Sequence, residues 1–242
     1  MDKKFIILIP SRIGSTRLKN KPLAKIGSMS LIQRVYMNAI NLSENTYIAT
    51  DSKEIQSHAL SFTTNIVMTS PDHISGTDRI CEAAGYLDIN DEDLVINLQG
   101  DEPFMPLDLI TNIINDFYTN DCDVISACNP LDKDNDIDNP NCVKAILNEN
   151  NYAITFQRKP VNHENKKIMR HIGLYAYSYK VLKELVSLKP SKNEIAHKLE
   201  QLRFLDNGYS IFLTEYKNNI PPGIDTEDDL IIANKFLESL WK

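Results

Sequence analysis

Cysteine is scarce in this chain, at four residues in 242 (Cys81, Cys122, Cys128 and Cys142), and no two form a C-x-x-C pair or share a metal-type spacing with histidine. That weakens metal-cage and disulfide readings and fits free thiols in a reducing, cytoplasmic compartment. No stretch approaches the roughly 20 apolar residues of a membrane span. The apolar start is one strand long and runs straight into Pro10 and Arg12, which is not the pattern of a signal peptide. There is no excess of positive charge either. The formal net charge is −7, which argues against non-specific binding to nucleic acid or to an anionic membrane. Only eight glycines occur, none in a G-x-G, and G-x-x-x-x-G-K-[ST] is absent; a dinucleotide fingerprint and a Walker A loop are both excluded. Internal repeats, low-complexity tracts and clear linkers are also missing.

What is present is an α/β alternation. Hydrophobic residues make up 42% of the chain, enough for one large α/β domain or two small ones. Phe5–Ile9, Thr46–Thr50, Asn65–Met68 and Leu94–Leu98 read as buried strands. Ser30-Leu-Ile-Gln33 reads as a capping box opening a helix with Leu31, Ile32, Val35, Tyr36 and Ala39 apolar. Further helices are expected from Asp51, over Thr77–Leu87, and from a Thr226 cap to about Leu240. This order implies an α/β fold, a mostly parallel sheet with helices on both faces. Ligands then belong at the carboxyl ends of the strands. The second half is less regular. Asp132–Asn141 reads as an exposed loop, Tyr152–Gln157 and Ile172–Tyr177 as strands, and Asn193–Asp206 as one amphipathic helix with Ile195, Leu199, Leu202 and Leu205 on one side. Asn207-Gly208 stops it. We expect a single domain over 1–242 with an excursion at about 130–210.

Six constellations carry chemistry. After the first strand, Arg12, Arg17, Lys19 and Lys21 crowd ten positions of an acidic chain. Cations, hydroxyls and turn amides together hold polyphosphate; a solvated basic loop is the plainer reading. Gln99-Gly-Asp-Glu-Pro103 puts two carboxylates behind a glycine at a strand end, suited to Mg²⁺ beside a phosphate or to an ordinary loop. Ser75-Gly-Thr-Asp-Arg79 offers free amides at a helix start, or simply an N-cap. On Arg170-His-Ile-Gly-Leu-Tyr-Ala-Tyr177, period two sets His171, Gly173, Tyr175 and Tyr177 on one face. That face suits a sugar, or is a half-exposed edge. Glu200 and Gln201 stand on a helix whose apolar positions are already accounted for. Asp225 opens an acidic run at a helix start, where the dipole alone would favour it.

Taken together and in order, these pieces closely resemble the 3-deoxy-manno-octulosonate (Kdo) cytidylyltransferases. The matching stretches are Ile9–Arg12, Ser15–Leu18, Lys21–Leu23, Ala49–Asp51, Val67–Thr69, Ser75–Arg79, Asn97–Pro103, Asn139-Pro140, Val143-Lys144, Arg170–Tyr175, Leu199–Arg203 and Ile224–Thr226. They cover nearly the whole chain. The resemblance implies a Rossmann-like sheet of the nucleotide-diphospho-sugar transferase type with a smaller dimerisation region, and a homodimer. It implies transfer of CMP from CTP to the anomeric hydroxyl of Kdo, with Mg²⁺ and release of pyrophosphate, in lipopolysaccharide biosynthesis. It assigns Arg12, Arg17 and Lys21 to the triphosphate, and Ser75, Thr77, Arg79 and Gln99 to the cytidine. Asp101 and Asp225 fall to the metal, with Lys21 beside them in the catalytic set. Arg158, His171, Tyr175, Glu200 and Gln201 fall to the sugar acid.

The chain departs from the family pattern in places. Lys19-Asn20 replaces Pro-Gly before Lys21, and Asn20 is expected to take the left-handed conformation instead of that glycine. Ser11 stands for Ala, His197 for Glu, and Glu227 for Pro. A related acceptor such as 8-amino-Kdo or a sialic-acid-type sugar would use the same chemistry. A non-catalytic nucleotide-sensing module would not need two separated carboxylates.

Overall fold

The structure is a computed structural model and describes residues 4–14, 17–132, 136–159, 166–221 and 223–239. Contacts divide the chain into two units, one running to Asp108 and resuming at Ile220, the other Leu109–Asn219.

The first unit begins with β1 (Phe5–Ser11), whose Ile7, Leu8 and Ile9 are wholly buried. A continuous apolar run of this kind marks a strand covered on both faces. A 3-10 turn at Lys21–Leu23 follows, then the two-residue strands β2 (Lys25–Ile26) and β3 (Met29–Ser30). Ser30 caps α1 (Leu31–Ala39) by accepting from the Gln33 N–H, and the five apolar positions expected to be buried are buried. β4 (Thr46–Thr50) leads to α2 (Lys53–Ala59), capped by Ser52. Asp51 stands just outside that helix, leaving its carboxylate free for another partner. β5 (Ile66–Met68), α3 (Gly76–Gly85) and β6 (Leu94–Asn97) complete the run.

β1 pairs in parallel with β4 on one side and β6 on the other, and β4 pairs in parallel with β5. The chain thus winds outward from β1 to β5 and then crosses back to β6. The order reverses beside β1, and the crevice at such a reversal is where α/β sheets bind ligands.

The second unit is mixed. α4 (Leu107–Thr119) leads into β7 (Val124–Asn129), then β8 (Lys144–Leu147), β9 (Ala153–Gln157) and the long β10 (Lys167–Ser178). β10 pairs antiparallel with β7 and β8, and β8 with β9. α5 (Tyr179–Ser187), α6 (Lys192–His197), α7 (Gln201–Asp206) and β11 (Ile211–Glu215) follow, with β11 parallel to β7. The chain then returns to the first unit and ends on α8 (Glu227–Ser239), where Thr226 Oγ1 accepts from the Asp229 N–H.

Two expectations are corrected here. Asn193–Asp206 is not one helix: α6 stops at Lys198, which is left-handed at φ 54°. A capping box at Ser191 and Glu194 opens α6, and Arg203 then grips Glu194 in a two-pronged ion pair at 2.5 and 2.8 Å that folds α7 back on it. The break leaves Ile195 67% exposed, off the apolar side it was expected to share with the buried Leu199 and Leu202. The Asp132–Asn141 loop is not exposed throughout. Asp136 is buried and accepts from the Asp132 N–H at 2.9 Å; residues 133–135 lie outside the described set.

Candidate active site

A cleft of about 420 Å³ opens in the first unit at the carboxyl ends of β1 and β6. Arg12, Arg17, Lys21, Ser75, Arg79, Gln99, Asp101 and Asp225 all line it. Thr77, by contrast, is buried in the first turn of α3 and is not on its wall.

Local chain chemistry shapes this cleft. Asn20 is left-handed, with φ 51° and ψ 36°, the conformation expected of it in place of glycine. Its carbonyl accepts from the Leu23 N–H at 2.8 Å, closing the turn that presents Lys21. Ser15 and Thr16 of the same loop lie outside the described residues. Gly100 is required by close approach: a Cβ there would stand 2.7 Å from the Pro10 carbonyl oxygen.

Lys21 Nζ sits 2.6 Å from Asp101 Oδ2 and 2.8 Å from Asp225 Oδ1, joining the end of β6 to the start of α8. Arg17 holds the other Asp225 oxygen at 3.0 Å. Burial alone would lower the Lys21 ammonium, but the two carboxylates outweigh it and hold it above its ordinary value. Arg12 stays exposed, with no hydrogen-bond or ion-pair partner among the described residues.

Arg79 is only 2% exposed. It donates to Thr69 Oγ1 at 2.6 Å, to the Ser70 carbonyl at 3.4 Å and to Asp51 Oδ2 at 2.9 Å, tying the ends of β4 and β5 to α3. Asp51 matched the family pattern but had no role assigned from sequence; its position after a strand was the available sign. Ser75 caps α3 in a full box with Asp78. Gln99 donates Nε2 to Asn97 Oδ1 at 3.0 Å. Its other amide atom, Oε1, is therefore an acceptor available to the cleft. His73 pairs with Glu82 at the rim, and Ile74 beside it is 85% exposed.

The second unit holds the residues expected at the sugar acid. His171 and Tyr175 of β10 are tilted neighbours with ring centroids 5.5 Å apart, and the Phe156 edge meets His171 at 4.9 Å. Ile172, Leu174 and Ala176 are buried as the period-two reading required, but Tyr177, expected on the face of His171, is buried too, after a register shift between Ile172 and Ala176. Burial, then Glu200 and Tyr177, keep the Tyr175 hydroxyl well above its ordinary value. The left-handed break at Lys198 delivers Glu200 and the buried Gln201 at the start of α7. Arg158 donates to the Pro140 carbonyl at 3.2 Å and to the Lys198 carbonyl at 3.3 Å. Lys144, buried at the start of β8, ties Asn139 and Arg158 through their carbonyls at 2.7 and 3.0 Å. Sequence reasoning missed Ser126 of β7, whose hydroxyl meets His171; only the β7–β10 register reveals it.

Fold and cleft together define an α/β nucleotidyltransferase. The Cytidylyltransferase family profile matches residues 6–212. Two relatives named 3-deoxy-manno-octulosonate cytidylyltransferase are similar throughout. The one from Coxiella burnetii (strain Dugway 5J108-111) is 39% identical over 94% of this chain and 97% of its own length. The one from Francisella tularensis subsp. novicida (strain U112) is 42% identical over 93% and 94%. The structure of CMP:2-keto-3-deoxy-manno-octonic acid synthetase complexed with CTP superposes with a TM-score of 0.90 at 31% identity, over 98% of this chain and 99% of that one. The chain belongs to the cytidylyltransferase family, in its 3-deoxy-manno-octulosonate branch.

Proposed function

We propose that this enzyme transfers CMP from CTP to the anomeric hydroxyl of Kdo, forming CMP-Kdo for lipopolysaccharide assembly and releasing pyrophosphate. The observation that carries the reading is the convergence of Asp101 and Asp225 on the Lys21 ammonium, in a cleft with Arg12 and Arg17 on its wall. Arg12, Arg17 and Lys21 bind the triphosphate, whose negative charge matches theirs. As the α-phosphate is attacked, charge grows on it and on the departing pyrophosphate, and these side chains lower the barrier by meeting that charge. Ser75, Arg79 and Gln99 serve the cytidine side, with Thr77 buried behind them in the first turn of α3. Gln99 Oε1, left as an acceptor by Asn97, suits the amino group of cytosine and not the carbonyl of uracil.

The donor set fits Mg²⁺: two hard carboxylate oxygens from distant segments reach one cationic point. Among the described residues no three His, Cys, Asp or Glu converge, so Asp101 and Asp225 would hold the ion with phosphate oxygens and water as its other ligands. Bound there, it would supply charge neutralisation at the α-phosphate and acidify the attacking hydroxyl. Arg158, His171, Tyr175, Glu200 and Gln201 hold the sugar acid. We take the working form as a homodimer, a reading that exposed Ile154 and Ile195 support and that light scattering tests. Cytoplasmic placement accords with four free cysteines and with the lack of any membrane-spanning helix among the described residues.

The test is pyrophosphate release from CTP with Mg²⁺ against a panel of 2-keto sugar acids, repeated with UTP. Turnover with Kdo and CTP above all others is the expected result; preference for another acid moves the assignment within the same chemistry, and no release with any acid overturns it.

A further inference from the structure

Ser126 lies wholly buried in β7 with its hydroxyl oxygen 2.9 Å from the Leu174 carbonyl oxygen, 3.2 Å from that of Ile172 and 3.0 Å from His171 Nε2. A hydroxyl has one proton, and carbonyls only accept. Given to Nε2, that proton would leave the hydroxyl lone pairs facing two carbonyl oxygens in a buried place, which costs free energy. Given to Leu174, it leaves the Ser126 oxygen as the acceptor toward His171, so the proton in that contact belongs to Nε2.

The surroundings then decide between a neutral ring and an imidazolium. Cys128 stands directly across the ladder from His171, Phe156 of β9 meets its edge, and Tyr175 lies beside it on β10. Cys128 is pushed up to about 12 by burial, and Tyr175 is raised as well, so neither is charged near neutral pH. Charged groups on the packed elements have other partners: Lys144 of β8 lies on two carbonyls, Glu215 of β11, across from Cys128, pairs with Lys167 at 2.5 Å, and Glu200 at the start of α7 acts on Tyr175. Burial is the cause that moves His171, and it lowers the ring to about 3. Nδ1 has no donor among the described residues and keeps its lone pair.

We propose that Ser126 is a positioning residue that fixes His171 as a neutral, Nε2-protonated imidazole, whose Nδ1 accepts a hydrogen bond from a hydroxyl of the sugar acid. His171 is then a reader of hydroxyl position and not a cation for the carboxylate. The ligand part of this inference rests on the sugar-acid reading above; the protonation part does not.

The experiment is a long-range ¹H–¹⁵N correlation spectrum of the full-length enzyme with labelled histidine, His171 being assigned by its loss in His171→Gln. One protonated and one unprotonated ring nitrogen, with the proton on Nε2 and unchanged from about pH 8 to about pH 5.5, is expected. An imidazolium, or a proton on Nδ1, overturns the proposal. Ser126→Ala should mix the tautomers and raise the KM for the sugar acid about tenfold with the KM for CTP unmoved, while Ser126→Thr keeps both near wild type. His171→Lys should also lose sugar affinity; retained or improved affinity would show that a cation belongs there and refute the acceptor role. Turnover with no sugar acid, alongside the expected spectrum, removes the ligand and leaves the tautomer standing.

Discussion

The cleft of the first unit and the β10 cluster of the second handle polar groups in opposite ways. The cleft of the first holds full charges and satisfies them against each other: Lys21 and Arg17 on Asp101 and Asp225, Arg79 on Asp51. The cluster around His171 and Tyr175 on β10 of the second keeps its groups neutral: burial lowers His171, raises Tyr175 and lifts Cys128 to about 12. A polyanionic ligand needs opposed charge at its reacting atoms, whereas a polyhydroxylated one is distinguished by directional hydrogen bonds. On the reading proposed above, charge meets the phosphates, while neutral rings meet the sugar acid together with the charged Arg158 and Glu200.

The sharpest way to break this contrast is to remove a carboxylate. Asp101→Ala or Asp225→Ala should lower kcat by about 10³-fold or more, in the range of electrostatic groups at a developing charge. Melting temperature should fall only slightly, since both carboxylates are solvent-accessible. Near-normal turnover of either variant would withdraw that residue from the catalytic set. Next in size is Lys21→Met, expected to cut kcat/KM for CTP by about 10²-fold with the KM for the sugar acid little changed; equal effects on both substrates would erase the division of labour.

A stability effect comes third. Arg79→Met strands Asp51 and two other acceptors, and loss of about 2–3 kcal/mol is expected, below the 3–5 typical of a fully buried pair because Asp51 is partly exposed. Denaturant unfolding measures it, and a loss under about 1 kcal/mol would make the clamp ornamental. Fourth is acid sensitivity. His171 is held far below its ordinary 6.5, so the unfolded chain binds a proton that the folded one does not. Stability contributed by the neutral ring is complete above about pH 6.5 and declines toward pH 3. Thermal unfolding across that window should be flatter in His171→Gln. Smallest is Asn20: Gly should be neutral within about 0.5 kcal/mol, whereas Val should cost about 1–2 kcal/mol at a left-handed position.

Legibility from sequence followed locality. β1, β4, β5, α1 and α3 were readable because apolar runs and capping side chains sit within a few residues of what they control. Asn20 was readable for the same reason, since its conformation answers to its own side chain. α4, β7, β8 and β11 were not singled out. β7 is buried along its whole length and so shows no alternation, and β8 begins on Lys144, whose burial depends on distant carbonyls. The break at Lys198 carries no glycine to announce it and follows from the Arg203–Glu194 ion pair. In the candidate site, residue types at strand ends were visible, but their partners were not. That Arg79 meets Asp51, or that Ser126 meets His171, depends on strand order and register.

The pairing around Lys21 carries a last consequence. Two cations and two carboxylates cancel, leaving this corner of the free cleft close to electroneutral. An arriving anion that draws Lys21 and Arg17 away uncovers two repelling carboxylates, and an arriving cation that takes the carboxylates uncovers two repelling bases. A visitor bearing both signs swaps partners with all four groups at once and leaves no charge unmatched. The corner thus behaves as an exchanger of ion pairs, discriminating against half of a matched ligand by the vacancy that half would leave behind.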